Sequence, residues 1–232
     1  MESPDPIQAP PPVHPILWAM IAVMIGFEGM FAAVDAGLLP TYLGRWPVYQ
    51  QLAFFNLHVL EGKLYQAVPI SLNQAALVPA GVPAVSSFLT HAFLHGGWLH
   101  LALNGAALLG LGHAIVQSIG AGRFLAVFAV TAVAGAAAFN LLSEVPGPMV
   151  GASGVIFGLL AMITAWQERA LRLAGRSRSM IWRRIAGLVA INLALAWGLE
   201  GLLAWQAHLG GFVAGWLMAL LIPPRTWLFA RP

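Results

Sequence analysis

Six stretches of this chain, about 16–37, 98–118, 121–142, 152–168, 181–199 and 204–222, are nearly unbroken runs of apolar residues. A helix rises about 1.5 Å per residue, so about 20 such residues cross the hydrocarbon core of a bilayer. Each run therefore predicts a transmembrane helix. The composition agrees: 59% of the 232 residues are hydrophobic and 8% are charged, against roughly 45–50% and roughly 25% in a soluble globular domain. A soluble fold is excluded. The expected fold class is an all-α membrane protein, a single bundle of six transmembrane helices over residues 16–222 with no room for a second domain.

Residues 38–97 stand apart as a long first outer loop. Pro40, Pro47, Pro69, Pro79 and Pro83 break any long helix there. Aromatics and single charges, among them Arg45, Tyr49, Phe54, Phe55, Glu61 and Lys63, suit an interfacial, partly folded segment with room for short amphipathic helices. Residues 1–15, MESPDPIQAPPPVHP, lack Lys and Arg and so match neither a secretory n-region nor a transit peptide. They read as a disordered, Pro-rich tail, and the apolar run after them reads as an uncleaved first span. Residues 223–232 form the other tail.

Basic residues set the orientation. The formal net charge is +3, and Arg169, Arg172, Arg176, Arg178, Arg183 and Arg184 crowd the connection between the fourth and fifth spans. Such a loop is expected in the cytoplasm. Counting back places both termini inside, with the first loop and the 143–150 turn outside; Arg123, Arg225 and Arg231 fall on the same inner side. A basic cluster flanked by apolar runs argues against nucleic-acid binding. With zero Cys there is neither a disulfide nor a thiolate site.

Three polar constellations interrupt the apolar runs. Gly151-Ala152-Ser153-Gly154 opens the fourth span and sets a hydroxyl at a glycine-flanked helix N-terminus, where backbone amides favour an anion. Alone the quartet also reads as a packing patch. On the sixth span, Ala207, Gly211 and Gly215 recur every four residues beside His208, and Gly154 and Gly158 form a similar small-residue stripe on the fourth. Two such stripes let helix backbones approach closely. Close packing would bring the His208 imidazole within reach of Ser153, as an activated serine requires.

The third constellation, THAFLHGGWLHLALN, carries His91, His95, His100 and Asn104. His100 and Asn104 lie four apart on one helical face, where their donors can stabilise a tetrahedral oxyanion. His91 and His95 read as ties between the first loop and the bundle. A metal is disfavoured, because the HAFLH sequence lacks the glutamate of a zinc-protease helix. Paired-aspartate chemistry is disfavoured as well, since the only aspartates are Asp5 and Asp35. None is placed to orient His208, so a catalytic site here would be a Ser-His dyad without cofactor.

Together these pieces resemble the rhomboid family of intramembrane serine proteases. The matching residues are His95, His100 and Asn104, then Gly151-Ala152-Ser153-Gly154, then Ala207-His208, Gly210, Gly211 and Gly215, in the family's order on the second, fourth and sixth of six spans. The match covers about 88–222. The resemblance implies Ser153 as nucleophile, His208 as general base, and His100, Asn104 and the Ser153 amide as the oxyanion hole. It implies supporting roles for His95, Gly151, Gly154, Phe157, Gly211 and Gly215, with Phe157 packed on the histidine. It also implies transmembrane protein substrates that enter from the bilayer between the second and fifth spans, with Trp197 and Leu199 on the gate side. The sequence departs from the family in one place: Ser86-Ser87 stand where many members have Trp-Arg.

Glu28, Glu144 and Glu200 receive no catalytic role; Glu28, inside the first span, is expected to be protonated, paired or turned toward the bundle. Two other functions compete with the protease. One is a catalytically silent rhomboid-like protein that binds membrane clients, and the other is a small transporter or channel, which would need more charge near midplane. The expected location is a bacterial inner membrane. Substrate and oligomeric state are not readable from the residues.

Overall fold

The structure, a computed structural model, describes residues 11–71, 74–143, 147–198 and 203–225. Six long helices form the bundle: α1 (Pro15–Asp35), α4 (Trp98–Ile119), α5 (Ala121–Leu142), α6 (Ser153–Leu173), α7 (Ser179–Gly198) and α8 (Trp205–Leu221). Two short helices, α2 (Arg45–Leu52) and α3 (Val82–Thr90), lie in the first loop. Length and apolarity alone qualify α1, α4 and α5 to cross a bilayer. Helices α6 and α7 have similar length but carry charges near one end, and α8, with 17 residues, is about 26 Å long.

Local chemistry explains the helix ends. Pro15 opens α1, where its missing N–H removes nothing; the His14 imidazole accepts the Ile16 N–H at 3.2 Å. Between α4 and α5 stands Gly120 alone, at φ +86°, a left-handed geometry that turns the chain in one residue. Helix α6 outruns its expected end at 168 by five residues. Glu168, Arg169 and Arg172 end the apolar run, yet backbone hydrogen bonding continues to Leu173, and Arg178 then pairs with Glu168 at 2.7 Å.

The first loop departs from expectation by holding a three-stranded antiparallel sheet, β1 (Leu57–Leu60), β2 (Lys63–Ser71) and β3 (Gln74–Pro79), in the order β1-β2-β3. Glu61 and Gly62, at φ 51° and 73°, supply the two positive-φ residues of a tight hairpin turn. Pro69, read as a helix breaker, also coincides with a register shift between Pro69 and Ser71, an irregularity where a ladder tolerates proline.

Leu17 and Met24 of α1, Leu108 and Ile115 of α4, Phe124 of α5 and Leu159 and Met162 of α6 fill the bundle core. A second cluster, Phe31, Tyr49, Ala53, Phe55 and Leu94, seats the first loop on α1. Large apolar side chains also face outward: Leu99 and Leu103 on α4, Val189, Ile191 and Leu193 on α7, and Leu217 and Leu220 on α8 are exposed. Lipid tails make such outer faces favourable, as in an integral membrane protein.

Of the expected N-terminal tail, residues 1–10 lie outside the described residues, and Val13 packs on the bundle core. At the other end, the Arg225 N–H donates to the Ser118 carbonyl at 2.8 Å. Glu144, Leu199 and Glu200 lie outside the described residues.

Candidate active site

Ser153 is the first residue of α6, with Ala152 as its N-cap. The strand-like segment before it is held on two sides. Phe54 and Met149 exchange backbone hydrogen bonds of 3.1 and 2.8 Å, and the Gly151 N–H donates to the His91 carbonyl at 2.9 Å. Gly151 adopts φ +115°, and a Cβ there would lie 2.8 Å from the His100 ring and 3.9 Å from Asn104 Nδ2. Glycine is thus required twice over, by backbone geometry and by the close approach of His100.

Helix α8 brings in the imidazole. Its small-residue stripe lies directly on that of α6: a Cβ on Gly211 would collide with the Gly154 carbonyl, one on Gly215 with the Gly158 carbonyl, and one on Gly154 would sit 3.1 Å from the Ala207 carbonyl. At this separation His208 Nε2 stands 2.8 Å from Ser153 Oγ. The Phe157 ring, one turn after Ser153, stacks on the imidazole at 4.3 Å between centroids and 6° between planes.

One partner escaped the sequence reading. Asn192, on α7, turns its Oδ1 to His208 Nδ1 at 2.7 Å. A search restricted to carboxylates passes it over. The available signal was a lone amide in the middle of an apolar span, where polar groups are costly and seldom without purpose. A hydroxyl on one imidazole nitrogen and an acceptor on the other is an arrangement in which the ring can take the hydroxyl proton.

His100 and Asn104, on α4, both approach Gly151, two residues before Ser153. The Gly96 N–H donates to His100 Nδ1 at 3.3 Å, which assigns the ring proton to Nε2, the nitrogen near Gly151. Asn104 Nδ2 gives one proton to the His100 carbonyl at 3.0 Å, and an amide nitrogen carries two. His95 packs edge-on against His100 at 5.1 Å. His91 Nε2 lies 3.4 Å from the Ala132 carbonyl of α5. Burial pushes both His91 and His95 down to about 4, in the second case helped by neighbouring His100, so both rings are neutral at pH 7.

Glu28 is paired. Its carboxylate accepts from Arg45 at 2.7 and 3.2 Å. Arg45 and the Tyr49 hydroxyl both donate to the His95 carbonyl, at 2.6 and 2.7 Å, and the guanidinium lies over the Phe31 ring at 4.7 Å. The carboxylate holds Arg45 above its ordinary value. This network fastens the histidine loop to α1. Trp197, on α7, is 88% exposed.

Comparison with known proteins identifies the family. A rhomboid-domain family model matches residues 83–225. The rhomboid protease GluP of Bacillus subtilis (strain 168) is 31% identical over 213 residues, 86% of this chain and 38% of the relative. RHOMBOID-like protein 5 of Arabidopsis thaliana is 30% identical over 142 residues, 57% of this chain and 43% of the relative. RHOMBOID-like protein 1 of the same plant is 31% identical over 144 residues, 59% and 35%. The chain spans less than half the length of these three relatives. With the domain match covering most of the chain and taking in all three polar constellations, the protein belongs to the rhomboid family.

Proposed function

We propose that this protein is an intramembrane serine endopeptidase that cleaves peptide bonds in or near transmembrane segments of membrane-protein substrates. The observation that carries the reading is the 2.8 Å contact between Ser153 Oγ and His208 Nε2 at the N-terminus of α6. In this mechanism Nε2 accepts the hydroxyl proton as Oγ attacks the scissile carbonyl carbon. The carbonyl electrons move onto oxygen, and His100 Nε2, the second Asn104 Nδ2 proton and the Ser153 amide stabilise that oxyanion. Collapse expels the leaving amine, which takes the proton from His208, and leaves an ester on Ser153. Water, deprotonated by the same imidazole, then hydrolyses the ester.

The substrate helix must be unwound to present its carbonyl, so Gly, Pro or small polar residues near the cleavage point favour turnover. Entry is assigned between α4 and α7, with Trp197 on the gate side. His95, Gly151, Gly154, Phe157, Gly211 and Gly215 support the site by the contacts described above. Residues 16–222 form the catalytic domain in a bacterial inner membrane, with both termini cytoplasmic.

The test is labelling of detergent-purified protein with a fluorophosphonate, followed by mass spectrometry of the adduct. Labelling at Ser153 that disappears in folded Ser153→Ala and His208→Ala variants is the expected result. A folded wild-type protein that never labels would favour a silent client-binding rhomboid.

A further inference from the structure

We propose that Asn192 is a positioning residue for His208, supplied by the fifth span, so that the site works as Ser153–His208–Asn192 rather than as a two-residue dyad. The inference rests on the serine-protease reading and deepens it.

A neutral imidazole carries one proton, and the nitrogen that holds it decides whether the ring can act as a base toward Ser153. Only the form protonated on Nδ1 leaves a lone pair on Nε2 for the hydroxyl proton. Phe157 lies flat on the ring and fixes its plane, but a ring face is indifferent to which edge nitrogen is protonated. The Asn192 amide oxygen is not indifferent. As an acceptor 2.7 Å from Nδ1, it favours a proton there; the opposite tautomer would need the amide to turn over and offer Nδ2 instead.

The same oxygen stabilises the imidazolium formed when the ring takes the serine proton. It does so without a formal charge, which suits a site inside a bilayer where an unpaired carboxylate is costly. Among the described carboxylates, Glu28 is held by Arg45 and Glu168 by Arg178, whereas Asn192 is in direct contact with the ring.

Placement gives the bond a second consequence. Among the described residues of α7, Ile181 is the one buried large apolar side chain, while Val189, Ile191 and Leu193, which flank Asn192, are exposed. The base is therefore oriented from the helix that packing holds least.

The test uses the full chain in detergent micelles, labelled with [15N]histidine, as wild type, Asn192→Leu and Asn192→Asp. The His208 resonances are assigned by their loss in His208→Ala. Three quantities are read: the tautomer of His208 from its ring nitrogen shifts, and the maximal rate and the half-saturation concentration of fluorophosphonate labelling at Ser153. Asn192→Leu keeps the volume and removes the acceptor. It should lower the maximal labelling rate by about 10²-fold, the scale of a misoriented general base, leave half-saturation within about threefold, and lose the Nδ1–H preference. Asn192→Asp, which keeps an oxygen at the same reach, should restore both the tautomer and most of the rate. Labelling of Asn192→Leu at the wild-type rate overturns the proposal, as does a His208 tautomer that does not respond to either substitution. Failure of the wild type to label, with a tautomer that still follows Asn192, would instead remove the protease reading and leave the positioning intact.

Discussion

The proposed chemistry depends on which atom a handful of side chains present around Ser153 and Gly151. His208 is aligned by stacking on Phe157 and by a 2.8 Å contact with Ser153 Oγ, whereas His100 and Asn104 present N–H groups near Gly151. An oxyanion donor acts on the transition state more than on the ground state. Asn104→Ala should accordingly lower turnover of a transmembrane substrate by about 10²-fold with an unchanged unfolding temperature; turnover at the wild-type rate would give Asn104 a purely structural role. These residues were visible in the sequence because an intramembrane span seldom carries His, Ser and Asn without reason. Asn192 carries the same kind of signal, but its partner lies 16 positions away on another helix, and nothing in local spacing links the two.

Helices α6 and α8 meet backbone to backbone, and small residues repeated every four positions on both make that contact possible. Gly211→Ala sets a methyl group against the Gly154 carbonyl and must push the helices apart. We expect a loss of about 1–3 kcal/mol of stability together with loss of fluorophosphonate labelling, measured by unfolding in mixed micelles and by gel fluorescence. Full labelling in that variant would mean that the Ser153–His208 distance does not depend on this contact. The first loop offers a second element-level test. Glu28 is deeply buried, while the Arg45 side chain keeps a third of its surface exposed. Arg45→Ala strands a buried carboxylate and should cost about 3–5 kcal/mol; Glu28→Ala leaves a guanidinium that can reach water and should cost less. Equal and small losses would show that the pair does not hold the loop. The strands in that loop were missed because Glu61-Gly62 is an uncommon hairpin pair and the prolines read as ends of structure.

For the molecule as a whole, the proposed orientation in the membrane rests on the arginine-rich connection between α6 and α7. A reporter fused after Pro232 should stay cytoplasmic, and periplasmic activity of that reporter would invert the proposed topology. Apolar run length was enough to determine six long helices and their order, with limits off by at most five residues, at the end of α6, because the bilayer forces each segment to satisfy its own backbone hydrogen bonds. The same constraint made the polar positions stand out, and with them Ser153, His208, His100 and Asn104. What the sequence by itself could not determine was pairing between segments far apart in the chain: Glu28 with Arg45, Phe54 with Met149, and Asn192 with His208. A hydrogen bond depends on distance and direction in space, and those are set only when α1, α7 and the first loop pack against the glycine-lined contact of α6 and α8.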